Sequence, residues 1–223
     1  QPKSGASLSD RLQTCIAVLA SPDAELPDTL STPLPDDQHA ILVTDGSAVV
    51  DEHSCAGPSG WGYILFFNGL TYRACGPLGH STSDNAEAMA IFHGILQCHR
   101  LKAPFIHVRT DNLACKEFLE GTMFPDNLGC LRLYLALPSI SSQILSYKVY
   151  SHSAPPHRDI LNDAADELAS LGREGQSLST VSDISVEHMA FLRLPIPRFN
   201  PGKDDGEQPP AHSPAFAHAE SLR

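Results

Sequence analysis

Two apolar runs in this sequence stop at an acid. Ile41-Leu42-Val43-Thr44 leads into Asp45-Gly46-Ser47, and Ile106-His107-Val108-Arg109-Thr110 leads into Asp111-Asn112. Short apolar runs bounded by polar residues read as buried strands, so each strand carries a carboxylate at its far end. An acid beside such a run is costly to bury unpaired and wants a cation or a partner. Further acids fall on helical patterns. Glu87 opens a long apolar-faced stretch, and Asp163 and Asp166 stand at i and i+3 on a later one. Any one of these acids alone is most simply a solvated cap or turn. Converging, with no Lys or Arg to balance them, they require a divalent metal. Oxygen-only ligands suit Mg²⁺ or Mn²⁺ rather than zinc. Two such ions about 4 Å apart activate water and hold the leaving oxygen when a phosphodiester is cut.

The elements that must position these acids follow from periodicity. Strand one is expected over 40–46 and strand two over 60–67. Asn68-Gly69 is a two-residue hairpin signal, and strand three follows over 70–75. Ser83, Asp84 and Asn85 offer capping side chains for a helix reaching about 101, with Ala86, Met89, Ala90, His93 and Leu96 on one face. Strand four is expected over 106–110. Helices over 113–120, stopped by Gly121, and over 127–137, ending before Pro138, come next. Strand five covers 143–151, and a last helix covers 160–171, ended by Gly172. This order predicts an α/β fold: a five-stranded mixed sheet, three antiparallel strands then parallel ones, flanked by helices. A helical crossover lets strands one and four be parallel neighbours. Asp45 and Asp111 then lie side by side at the carboxyl edge, where open α/β sheets bind ligands.

Composition narrows the class. The chain has 223 residues and a net charge of −11, which argues against a free-standing nucleic-acid binder held by a basic surface. No apolar run approaches the roughly 18 residues that would span a bilayer. Cys15, Cys55, Cys75, Cys98, Cys115 and Cys130 are scattered with no C-x-x-C pair. They read as free thiols in a reducing, intracellular compartment, nuclear or cytoplasmic. Residues 1–38 are expected to be a linker with one short amphipathic helix (Leu8, Leu12, Ile16, Leu19) followed by prolines. Residues 39–172 form the folded domain. Residues 173–223 read as a Pro-rich, mostly disordered tail with one short docking segment over 186–194. The first residue is Gln1, not Met, so the chain is expected to be cut from a longer protein.

Read together, Thr44-Asp45-Gly46-Ser47, Gly60-Trp61-Gly62-Tyr63, Asn85-Ala86-Glu87-Ala88-Met89-Ala90, Thr110-Asp111-Asn112, Ser151-His152 and Asn162-Asp163-Ala164-Ala165-Asp166-Glu167-Leu168-Ala169 resemble type 1 ribonuclease H. The resemblance covers about residues 39–172, in the right order. It implies a ribonuclease H-like fold and a nuclease that cuts the RNA strand of RNA–DNA hybrids with two Mg²⁺ ions, Mn²⁺ being the substitute. The family's metal-binding carboxylates map onto Asp45, Glu87, Asp111 and Asp166. Asp166 is preferred to Asp163 because Asp166-Glu167-Leu168-Ala169 matches the family's last-helix run. The family's loop histidine, associated with product release or proton transfer, maps onto His152, with His157 in the same loop as the alternative. Substrate contacts are implied at Gly46, Ser47, Ser83, Asn85 and Asn112.

The departures point to an origin. Asp84 stands where the family holds the hybrid backbone, and an acid there repels phosphate. Many cellular members carry a basic, Trp-bearing protrusion between the middle helices. Here the span from Asn112 to Gln143 is short and has only Lys116 and Arg132 as cations. That form is similar to the ribonuclease H of reverse-transcribing elements and implies a covalently linked reverse transcriptase domain upstream. Residues 39–172 hold 8 Lys or Arg against 13 Asp or Glu, so most of the net acidity is the four-carboxylate site itself. Two competing readings are another nuclease or integrase-type enzyme of the same fold, and a catalytically silent scaffold for protein contacts.

Overall fold

The computed structural model describes residues 29–30, 32–49, 56–151 and 159–197. The expected helix near the start, His152, His157 and the chain beyond 197 lie outside the described residues.

The core is one mixed sheet with helices on both faces. Its strands are β1 (His39–Ala48), β2 (Gly57–Phe67), β3 (Leu70–Ser81), β4 (Phe105–Thr110), β5 (Gln143–Lys148) and β6 (Leu178–Asp183). Across the sheet they run β5-β4-β1-β2-β3-β6. β1, β2, β3 and β6 pair antiparallel, whereas β4 is parallel to both β1 and β5. The helices are α1 (Ser83–Arg100), α2 (Leu113–Leu119), α3 (Leu128–Ala136), α4 (Ile160–Arg173) and α5 (Val186–Leu192). A two-residue ladder joins Thr29–Leu30 to Ile196–Pro197.

Alternation along β1 feeds two separate cores. Ala40 and Leu42 pack with Leu65, Ile91, Ile95 and Val108 on the face covered by α1. Ile41 and Val43 pack with Ile64, Phe66, Leu161 and Ala165 on the face covered by α4. The β2–β3 hairpin turns at Asn68 and Gly69, both at positive φ (51° and 76°), as a tight two-residue turn of this hand requires.

Three differences from expectation have physical causes. First, the sheet has six strands, not five. β6 occupies the start of the expected tail and pairs with β3 from Cys75–Leu178 to Leu70–Asp183. Only Leu178 in it is even partly covered, so no apolar alternation marks the strand in the sequence. Residues 186–192, expected as a docking segment, form α5 and place Phe191 and Leu192 in the second core. Second, β3 runs on to Ser81. Its pairing with β2 steps from Gly60–Pro77 to Ser59–Gly79, so a bulge carries the strand past the expected end at 75. Third, the α1 cap is Thr82, whose hydroxyl accepts from the Asn85 amide at 3.2 Å. Ser83, Asp84 and Asn85 already lie inside the helix.

Candidate active site

The parallel pairing of β1 and β4 runs from His39–Phe105 to Thr44–Thr110. Asp45 is the next residue of β1 and Asp111 is the first residue beyond β4, so the register sets them side by side at the carboxyl edge. Asp45 is buried, and Asp111 is partly exposed. Glu87 arrives from α1, one turn past its cap, and is also buried. Gly46 allows this approach: a Cβ there would overlap the Glu87 amide nitrogen and the Ala86 carbonyl carbon. One carboxylate oxygen from each of Asp45, Glu87 and Asp111 lies within 4.8 Å of the others.

Burial pushes the Asp45 carboxyl well above the ordinary carboxylate range, and the charges of Asp111 and Asp166 add to it. Burial likewise raises Glu87, followed by the charges of Asp45 and Asp111. The two carboxyls hydrogen-bond, which opposes the rise at Asp45 and adds to it at Glu87. Glu87 Oε2 is buried with no hydrogen-bond partner among the described residues. A buried, unpaired oxygen beside two further acids is expensive in a protein interior. Divalent cations fit this donor set, because they neutralise the charges and satisfy the orphaned oxygen.

Asp166 stands on α4, partly exposed and near enough for its charge to act on Asp45. Its helix reaches the site through Asn162, whose Nδ2 donates to Asp111 Oδ2 at 3.4 Å. Neither Asp166 nor Asp163, which lies in the first turn of α4, is a member of the three-carboxylate group. α4 lies flat on the sheet because β2 offers Gly62, where a Cβ would overlap the Ala169 backbone.

Three of the remaining expected site residues, Ser47, Asn85 and Asn112, have structural partners. Ser47 accepts from Arg173 Nη1 at 2.7 Å. Ser83 is exposed at the first turn of α1. Asn85 donates to Ser81 Oγ at 2.6 Å and accepts from the Gly129 amide at 2.7 Å, tying α1 to α3. Asn112 caps α2 by accepting from the Cys115 amide at 2.9 Å, and donates to Asp84 Oδ1 at 3.2 Å.

Sequence reasoning passed over two groups beside the site. Lys148 ends β5 opposite Thr110. Its ammonium donates to the Val149 carbonyl at 3.0 Å. Burial lowers its pKa, while Asp111 and Glu87 pull the other way. Arg109, the penultimate residue of β4, forms a buried ion pair with Asp159 at 2.6 Å. A cation inside an otherwise apolar strand is a signal the sequence does carry, since such a group is almost never buried unpaired.

No family model matches the sequence, and no curated protein matches it. Solved structures do. LC9-RNase H1, a type 1 ribonuclease H with the type 2 active-site motif, aligns at a TM-score of 0.52 and 11% identity, over 78% of this chain and 92% of its own. The N-terminal ribonuclease H domain of Rv2228c from Mycobacterium tuberculosis, solved as a fusion with maltose-binding protein, gives 0.48 and 18% over 61% and 94%. Ribonuclease H1 from the halophilic archaeon Halobacterium salinarum NRC-1 gives 0.48 and 17% over 61% and 98%. Among the described residues no helix is long and apolar enough to cross a membrane. The strand order, the flanking helices and the likeness to LC9-RNase H1 give this chain the ribonuclease H-like fold.

Proposed function

We propose that this chain is a metal-dependent endonuclease that hydrolyses the RNA strand of RNA–DNA hybrids. The observation that carries the reading is the convergence of Asp45, Glu87 and Asp111 at the carboxyl edge of a ribonuclease H-like sheet. In this reading Asp45, Glu87, Asp111 and Asp166 hold two Mg²⁺ ions, with Mn²⁺ as a substitute. Bound there, the ions would activate a water and stabilise the leaving oxygen of a phosphodiester. The chain's own contribution is to fix the oxygens. Parallel register sets the distance between Asp45 and Asp111, Gly46 lets Glu87 close on them, and Asn162 holds one oxygen of Asp111. The choice of RNA–DNA hybrid rests on the sequence resemblance and on the ribonuclease H identity of the structural neighbour. His152, or His157 in the same loop, is the group proposed to move a proton or to release product.

The proposed context is a reverse-transcribing element, with a polymerase domain linked upstream. The short span from α2 to β5, whose cations are Lys116 and Arg132, supports it. The proposed catalytic domain covers residues 39–172, with β6 and α5 completing its sheet and second core. The test is one assay: end-labelled RNA, annealed to DNA or alone, incubated with the purified chain in Mg²⁺ or in chelator. Metal-dependent cutting of the annealed RNA is expected. An inert chain would favour the silent-scaffold reading instead.

A further inference from the structure

We propose that Arg109 is a positioning residue: its ion pair with Asp159 fixes the capped N-terminal end of α4 against β4, and so holds Asp166 beside the three-carboxylate group. The inference rests on the nuclease reading above.

Arg109 is 2% exposed, the penultimate residue of β4, level with Val43 on one side and Tyr147 on the other. Its Nη2 donates to Asp159 Oδ2 at 2.6 Å, with side chains 3% and 6% exposed. The other oxygen, Asp159 Oδ1, accepts from the Leu161 amide at 2.9 Å and the Asn162 amide at 3.4 Å. One carboxylate therefore joins the strand to the first turn of the helix. Asp111 directly follows β4, two residues after Arg109. Asn162 reaches from that first turn to Asp111. The helix is thus tied to the end of β4 at residues 109 and 111, and Asp166 lies one turn beyond Asn162 on the same face.

Stability does not account for the pair. Exchanging a buried ion pair for neutral groups of similar volume is often neutral or stabilising. Here the cost is greater still, because Nε and Nη1 of Arg109 are buried without a hydrogen-bond partner among the described residues. Position does account for it. The apolar contacts of Leu161 and Ala165 with Ile41 and Val43 are non-directional. A charge-assisted hydrogen bond is directional and selects one placement of α4 among them.

The experiment uses the full chain carrying Arg109→Met with Asp159→Asn. Met fills the volume, and Asn caps a helix about as well as Asp. The probe is Mn²⁺, followed by its electron paramagnetic resonance signal, with the Mg²⁺ half-saturation of hybrid cleavage measured in parallel. The expected result is a melting temperature close to wild type, with the weaker Mn²⁺ dissociation constant and the Mg²⁺ half-saturation both raised about tenfold or more, as for other groups that orient metal ligands. In an Asp166→Asn background the same double substitution should change Mn²⁺ binding less than twofold. A folded double variant with wild-type Mn²⁺ binding overturns the inference, as does an effect that multiplies in full with Asp166→Asn. If the double variant does not fold, Asp159→Ser, which keeps a capping side chain but removes the carboxylate, takes its place, and wild-type Mn²⁺ binding in that variant overturns the inference equally. A wild-type chain that neither binds Mn²⁺ nor cuts overturns the nuclease reading itself, and this inference with it.

Discussion

Gly46 lies against the backbone of Glu87 so closely that no β-carbon fits between them. The contact joins the end of β1 to the first turns of α1 and is what brings the Glu87 carboxyl to Asp45. Gly46→Ala must push the helix back, because the obstruction is backbone and cannot rotate away. We expect a loss of about 1–3 kcal/mol, the usual range for forced overpacking, together with loss of hybrid cleavage. A thermal melt and the cleavage assay check it. An alanine variant with wild-type melting and rate would show that α1 does not rest on Gly46.

Asp45→Asn, or Asp111→Asn, should abolish cleavage and leave the fold intact. Each replaces a charged oxygen with a neutral one of the same shape. In chelator the Asp45 variant should melt higher than wild type, by on the order of 1 kcal/mol, because a buried charge facing like charges is gone. Mg²⁺ should raise the melting temperature of wild type but not of the variant. Cleavage retained in either variant would end the metal-ligand reading of these two residues.

Metal-free stability should depend on pH with a definite sign. Asp45 and Glu87 are raised in the folded state, so the native site binds protons that the unfolded chain has already lost. Their contribution is full below the unfolded carboxylate range, near pH 4, and is lost as pH rises through the folded values. Burial holds His93 and His107 down to about 4. Their effect is opposite, strengthening the fold as pH rises from about 4 to 6.5. The carboxylate part is therefore the difference between wild type and Asp45→Asn in chelator, melted from pH 5 to 8. We expect wild type to lose stability relative to the variant as pH rises, and Mg²⁺ to suppress that loss. A pH-independent difference would contradict the raised carboxyls.

The sequence carries the strand-end acids because apolar runs mark β1 and β4 on their own, and the crossover through α1 makes the two parallel neighbours. It hides β6, because an edge strand exposed along nearly all its length has no apolar period. It hides the α1 cap, because Thr82, Ser83, Asp84 and Asn85 are all capping types and only the helix start decides among them. Gly46 and Gly62 fall within expected strands, and only the fold shows that each marks a close approach by a helix remote in sequence. Arg109 and Asp159 are 50 residues apart, and only the fold pairs them.

Asp166→Asn should cost far more activity than Asp163→Asn. Residues three apart share a broad helix face but point in different directions. The charge of Asp166 acts on Asp45, while Asp163 stands in the first turn of α4. Rates for both variants across a Mg²⁺ series decide it, and a larger loss at Asp163 would mean that the last helix is read one turn out of place.

The isolated chain should bind hybrid weakly, with a shallow salt dependence. Such binding is driven largely by cations that replace counterions on phosphates, and the fold has already engaged many of the cations here. Arg109 is buried against Asp159, Lys116 pairs with Glu120 at 2.7 Å, and Arg73 donates to Ser182 at 2.9 Å. Near the site stand Lys148 and Arg173, the latter donating to Ser47, and Asp84 sits beside Asn112 where phosphate would approach. With about three phosphate contacts the slope of log K against log salt should be near −3 or shallower. A tethered polymerase domain would supply the missing grip, since a short linker gives effective concentrations in the millimolar range. The measurement is the hybrid dissociation constant from low to physiological salt, with Ca²⁺ in place of Mg²⁺ to prevent cutting. Tight binding at physiological salt, with a slope implying six or more contacts, would show that this domain holds its substrate unaided.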